Sequence, residues 1–225
     1  MRVQVPQWAL NGGINMYVVL DLEMCVVPKR LRNSEHNFAH EIIQIGAVLL
    51  NKNLDIQDEY NTLVHPELGI VDEYIERLTG ITGESLNGAP NLECALTKFV
   101  EWIPEEAVMV SWSNNDRQQI LREVKAKGLS INRLDNLLNN WIDCQKTFSK
   151  KMNCDKCYNL TEALIITDIN YKDGAHDGLV DAYNTAILFA KMEREPELVF
   201  SKYYKDEADQ CGFKLEGLLS NLKLA

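Results

Sequence analysis

Apolar positions along the chain fall into runs of two kinds, and their order predicts three adjacent strands followed by alternating helix and strand. Met16–Leu22 is a short, nearly continuous apolar run of the sort that forms a buried strand. Glu41–Asn51 (EIIQIGAVLLN) is rich in β-branched residues, and Asp55–His65 can pair with it, giving three strands in meander order. Between the first two, Cys25–His40 is polar, contains Pro28 and reads as a loop. Asp72–Leu78 predicts a short helix, interrupted by Thr79-Gly80 and Thr82-Gly83. Asn91–Ile103 places Leu92, Leu96, Phe99, Val100 and Ile103 at helical spacing, with Pro104 as a stop. Ala107–Trp112 is a second buried-strand run, and Asp116–Lys127 is amphipathic and closed by Gly128. Trp141–Asp143 predicts a short strand and Leu160–Ile165 a short helix. The clearest helix is Gly178–Glu193, with Leu179, Ala182, Tyr183, Ala186, Ile187 and Ala190 on one face and Pro196 beyond it. This order predicts an α/β sheet with helices on its faces. Residues 1–15 read as an irregular extension, 16–195 as the compact domain and 196–225 as a helical extension packed on it.

Composition narrows the partners. The chain has 225 residues, of which 46% are hydrophobic, a globular value. No run of 18 apolar residues occurs, so no membrane span is expected. The opening residues lack the apolar core of a secretory leader, and six scattered cysteines do not form a disulfide scaffold, so a reduced, cytoplasmic protein is the expectation. The net charge of −10 argues against binding long tracts of nucleic acid, because phosphate affinity comes largely from Lys and Arg. It leaves open an enzyme that holds a few nucleotides through divalent cations, since a site rich in carboxylates is negative before its cations arrive.

Three segments then carry chemistry. Asp21-Leu22-Glu23 ends the first strand, and residues two apart on a strand project to the same side. Two carboxylates there are costly unless a cation or a partner group compensates them. Taken alone, the pair reads equally well as a solvated strand end. Asp116 follows the strand Ala107–Trp112 and the turn Ser113-Asn114-Asn115, and alone would be an ordinary first-turn aspartate. His176-Asp177-Gly178-Leu179-Val180-Asp181 puts Asp181 in the first turn of the clearest helix, with His176 in the loop before it. Elsewhere, Cys154-Asp155-Lys156-Cys157 offers a weak zinc motif with no well-spaced second pair. Lys146, Lys150, Lys151 and Lys156 crowd a predicted loop that reads as a solvated face or a phosphate contact.

Taken together, the strand-end D-x-E, the strand-then-Asp and the H-x4-D at a helix start resemble the DEDDh family of 3′→5′ exonucleases. The flanking residues agree: Tyr17–Glu23 (YVVLDLE), Glu41–Gly46 (EIIQIG), Leu78–Ile81 (LTGI), Trp112–Asp116 (WSNND) and Ala175–Asn184 (AHDGLVDAYN) resemble that family's segments in order. The likeness spans about residues 16–192 and is greatest to RNA-trimming members of the histone-mRNA and small-RNA type and their bacterial relatives. It implies a ribonuclease-H-like mixed sheet with helices on both faces. It also implies two divalent cations, Mg²⁺ or Mn²⁺, held by Asp21, Glu23, Asp116 and Asp181, roughly 3.5–4 Å apart in such sites. Asp21 would bridge both, Glu23 and Asp181 would complete one, and Asp116 would hold the second through water. His176 would be the general base, since an imidazole with its ordinary pKa of about 6.5 can take a proton at neutral pH. Met24 and Cys25 would lie beside the terminal nucleotide, with Leu78 and Thr79 bounding its base. For Leu78, core packing is the competing reading. Trp112 reads as a buried strand-end residue rather than a base-stacking one. The implied substrate is a single-stranded 3′ end, RNA favoured over DNA, and the product a nucleoside monophosphate. A proofreading-type DNA exonuclease and a catalytically silent nucleic-acid-binding module on the same fold remain as alternatives.

Overall fold

A computed structural model of the chain describes residues 16–32, 38–153, 156–174, 176–198 and 201. Its strands are β1 (Met16–Val26), β2 (His40–Asn51), β3 (Ile56–Leu63), β4 (Ala107–Ser111) and β5 (Trp141–Asp143). Its helices are α1 (Glu73–Thr79), α2 (Leu92–Trp102), α3 (Asn115–Ala126), α4 (Leu134–Asn139), α5 (Cys144–Lys151), α6 (Leu160–Ile166) and α7 (Gly178–Arg194). The five strands lie in the order β3-β2-β1-β4-β5. The meander β1-β2-β3 is antiparallel, while β4 and β5 run parallel to β1.

Strand alternation divides the interior into two cores. Val18, Leu20 and Leu22 of β1, with Ile45, Ala47 and Leu49 of β2, face α2, α3 and α4 through Leu96, Phe99, Ile120 and Leu137. Tyr17 and Val19, with Val48 and Leu50, face α5, α6 and α7 through Phe148, Leu164 and Phe189. Helices therefore cover both faces. Period-2 alternation dictates the sequel: Asp21 and Glu23 continue the Tyr17–Val19 side, toward α7.

β1 outruns its parallel partner. The β1–β4 pairing ends at Val19↔Val110, whereas the β1–β2 pairing continues to Val26↔His40. Asp21 and Glu23 thus stand beyond the end of β4, where the chain turns into α3. The expected loop after Glu23 is corrected here: β1 continues through a β-bulge between Glu23 and Met24, and a 3₁₀ turn covers Lys29–Leu31. The extra residue of the bulge is on β2, where Ile43 is skipped in the register.

The lysine-rich loop is corrected too. Lys146, Lys150 and Lys151 are on α5, which Asp143 caps and whose Cys144 and Phe148 are fully buried four residues apart. Lys146 pairs with Asp143, Lys151 donates to the Glu195 carbonyl and Lys156 pairs with Glu162. α4 is a further helix beyond those expected. The chain after α7 stays on the domain at least to Ser201, since Leu198 is buried and the Ser201 amide donates to the Ile166 carbonyl. Residues 1–15 and 202–225, and with them most of the expected terminal extensions, lie outside the described residues.

Candidate active site

Two glycines bring the last helix onto the acidic strand. Gly46 is the β2 partner of Asp21. A Cβ on it would lie 2.2 Å from the Gly178 carbonyl carbon and 2.2 Å from the Leu179 nitrogen. A Cβ on Gly178 would come within 3.2 Å of the Asp21 carbonyl oxygen. Backbone thus rests on backbone, and the first turn of α7 stands directly over β1. Asp177 caps that turn, accepting from the Leu179 and Val180 amides at 2.9 and 3.3 Å. Asp181 follows on the same turn, and the cap and the glycine contact fix its place.

His176 enters from the turn just before the cap. Its φ of 68° lies in the left-handed region, which costs a non-glycine residue of order 1–3 kcal/mol. The conformation turns its backbone N–H onto the Asp181 carboxylate at 2.9 Å. The imidazole remains exposed, and one of its nitrogens lies within 4.8 Å of carboxylate oxygens of both Glu23 and Asp181. Asp116 arrives from the opposite helical layer, in the first turn of α3, and is buried. The Leu22 backbone N–H, between the two β1 carboxylates, hydrogen-bonds to it.

The electrostatics report how close these groups are. Burial, then the charges of Asp116, Asp181, Glu23 and Asp177, holds Asp21 well above the carboxylate range. Burial and the neighbouring Asp181, Asp116 and Asp177 push Glu23 up to about 8. Burial raises Asp116 and Asp181 as well; backbone N–H donors oppose it at Asp116, and the His176 amide and imidazole oppose it at Asp181. Such mutual repulsion is unfavourable in the bare protein and is relieved by positive charge placed between the groups. All the acidic donors are carboxylate oxygens, the ligands of hard divalent cations.

The structure therefore brings Asp21, Glu23, Asp116, Asp181 and His176 to one end of the sheet. It also adds Asp177, a fifth nearby carboxylate to which the sequence pattern assigns no role. The substrate-contact candidates are nearby in the fold but unequal. Cys25 has no exposed surface; its side chain packs with Ile43, Ile75, Ile81 and Leu86, so it presents no free surface to a ligand. Ile75 and Ile81 in that cluster seat α1 and the LTGI segment beside the end of β1. Met24, Leu78 and Thr79 are half-buried, and the Thr79 hydroxyl is engaged by the Ile75 carbonyl and the Ile81 amide. Trp112 is buried against Phe148. In the zinc motif Cys154 and Asp155 lie outside the described residues, while Cys157 is exposed.

A mixed five-stranded sheet whose central strand ends in a carboxylate cluster has the architecture of a ribonuclease-H-like nuclease. Comparison with known proteins agrees: residues 18–189 match the exonuclease family RNase T. The chain belongs to that family. It is 32% identical over 176 residues to ERI1 exoribonuclease 2 of Danio rerio, covering 68% of this chain and 31% of that protein. It is 28% identical over 180 residues to the 3′-5′ exonuclease Snipper of Drosophila melanogaster, covering 70% and 63%. The fold superposes on the nuclease domain of 3′hExo, a DEDDh family member bound to rAMP, with a TM-score of 0.71 at 22% identity, covering 85% of this chain and 98% of that one. The chain spans less than a third of the length of the ERI1 exoribonuclease 2 relatives it matches. No helix among the described residues is long and apolar enough to cross a membrane.

Proposed function

We propose that this protein is a divalent-cation-dependent 3′→5′ exonuclease that removes nucleoside monophosphates from single-stranded 3′ ends, with RNA preferred over DNA. The observation that carries this reading is the convergence of four carboxylates from β1, α3 and α7 on one point, with an exposed histidine over them. Membership of the exonuclease family and relatives named as exoribonucleases support the direction and the sugar.

Asp21, central to the cluster, would hold both cations; Glu23 and Asp181 would complete one and Asp116 the other. Mg²⁺ or Mn²⁺ bound there supplies positive charge to the attacking and leaving oxygens of an in-line displacement. His176, open to solvent on its strained turn, accepts a proton from the attacking water and releases it to bulk. Water adds to the terminal phosphorus, the bond to the upstream 3′ oxygen breaks, that oxygen takes a proton from solvent, and a nucleoside 5′-monophosphate leaves a strand one residue shorter with a 3′-hydroxyl. Met24, Leu78 and Thr79 would border the terminal nucleotide, with Cys25 buried behind them.

The test uses 5′-labelled RNA and DNA of matched sequence, with Mn²⁺ or Mg²⁺, alongside a circular single strand. The expected result is a stepwise ladder, faster on RNA, with the circle intact. Cleavage of the circle would overturn the exonuclease reading; faster decay of DNA would overturn the sugar preference.

A further inference from the structure

We propose that Gln44 is a positioning residue that fixes the start of α7, and through it Asp181 and His176, against Asp21 and Glu23; its activity arm rests on the exonuclease reading above. Gln44 lies on β2 directly opposite Glu23 and is 4% exposed in a strand whose other buried side chains, Glu41 apart, are apolar. Its amide is divided between two tasks. Oε1 accepts from the Gly178 N–H at 3.0 Å. Nε2 donates to Asn61 Oδ1 on β3 at 3.1 Å and faces Asp177 Oδ1 at 3.4 Å. The orientation is dictated chemically, because an N–H can only donate and must therefore meet Oε1.

Gly178 is the first residue of α7, so its N–H has no acceptor within the helix. Asp177 caps the next two amides but not this one. Without Gln44 a buried donor would be left unpaired beside the carboxylate cluster. Leucine at this position would leave it so. Glutamate would accept from it, but would add a negative charge facing Asp177 and could not donate to Asn61. The contact has little slack, because Gly46 and Gly178 already hold strand and helix at backbone contact. Asp181 lies three residues after Gly178 and His176 two before, with the His176 amide bonded to Asp181. A shift at Gly178 therefore moves both groups relative to β1.

The experiment compares wild type, Gln44→Leu, Gln44→Glu and Asn61→Ala by thermal midpoint, Mn²⁺ calorimetry, and kcat and KM on a single-stranded RNA. Misplacement of about 1 Å near the chemistry can cost ~100-fold. Gln44→Leu is therefore expected to lose about 100-fold in kcat with KM within about three-fold, and to bind Mn²⁺ at least ~10-fold more weakly. Gln44→Glu, which keeps the acceptor, should recover to within about ten-fold of wild-type kcat at saturating Mn²⁺. Asn61 is exposed, so Asn61→Ala should keep its thermal midpoint while losing several-fold in Mn²⁺ affinity and kcat. Wild-type kcat and Mn²⁺ affinity in Gln44→Leu would overturn the proposal. If that variant does not fold, it is overturned by Gln44→Glu remaining ~100-fold impaired in saturating Mn²⁺, or by Asn61→Ala matching wild type in both readouts. If wild type itself shows no metal-dependent shortening, the exonuclease reading fails, and the Mn²⁺ isotherms still decide whether Gln44 positions the carboxylates.

Discussion

Replacing Gly46 with alanine adds one carbon where helix and strand already touch. The new Cβ would lie 2.2 Å from Gly178 C and Leu179 N and 2.4 Å from Gly178 O, all of them backbone atoms that no rotamer change can move away. Non-bonded carbon contacts relax at about 3.5–4.0 Å, so β2 and the start of α7 must separate by about 1.3–1.8 Å. Overpacking of this kind typically costs about 1–3 kcal/mol of stability. The consequence for activity is larger in proportion, because the moving element carries Asp181 and leads in from His176, while Asp21 and Glu23 stay on β1. A displacement of about 1 Å in catalytic geometry can cost ~100-fold in rate. Turnover on a 5′-labelled single-stranded RNA should therefore fall ~100-fold while the protein still unfolds cooperatively in urea. Turnover within about three-fold of wild type would refute the argument that this backbone contact sets the geometry of the site.

Three further outcomes follow from the same structure. The Lys127 side chain is 5% exposed and lies 2.8 Å from the fully buried Glu41 and 3.1 Å from Glu123, so Lys127→Met should cost about 3–5 kcal/mol in urea unfolding, and a loss under about 1 kcal/mol would contradict its bridging role. Burial and neighbouring carboxylates raise Glu23 to about 8 in the metal-free protein, and Asp21, Asp116 and Asp181 shift the same way. A raised carboxylate contributes stability that is full below its ordinary pKa and lost as pH rises through the raised one. The thermal midpoint of EDTA-treated protein should thus fall between about pH 5 and pH 9 and recover with Mn²⁺; a flat or rising midpoint would contradict the clustering. His176→Ala should lose about 10²–10⁴-fold in turnover yet bind Mn²⁺ with near-normal affinity by calorimetry, whereas loss of metal as complete as in Asp181→Ala would make the histidine a ligand.

What could be read in the sequence was the part governed by local period. Alternation placed Asp21 and Glu23 on one side of β1, and the 3.6-residue pattern of α7 placed Asp181 in its first turn. The β1 extension to Val26 was hidden because Pro28 and the polar residues after it read as loop, while its pairing with β2 is a tertiary fact. α5 carried a legible signal, an Asp143 cap and buried Cys144 and Phe148 at i, i+4, but its lysines obscured it. Gln44 and Glu41 are polar residues in an apolar strand, which marks them as unusual without naming their partners. Those partners, Gly178 and Lys127, are remote in sequence, so no local pattern connects them. Cys25 shows the converse, since position beside the D-x-E pair did not reveal that its thiol turns into a separate apolar cluster.

If the carboxylates of β1, α3 and α7 form a cation-dependent hydrolytic centre, metal must switch the reaction on and Asp21 must be needed for it. The measurement follows a 5′-labelled single-stranded RNA with metal-stripped protein, before and after Mn²⁺ is added back, in wild type and in Asp21→Ala. The expected record is no shortening without metal, a one-nucleotide ladder from the 3′ end once Mn²⁺ is restored, and no ladder from Asp21→Ala in either condition. A ladder from metal-stripped wild type, or from Asp21→Ala at the wild-type rate, would contradict it.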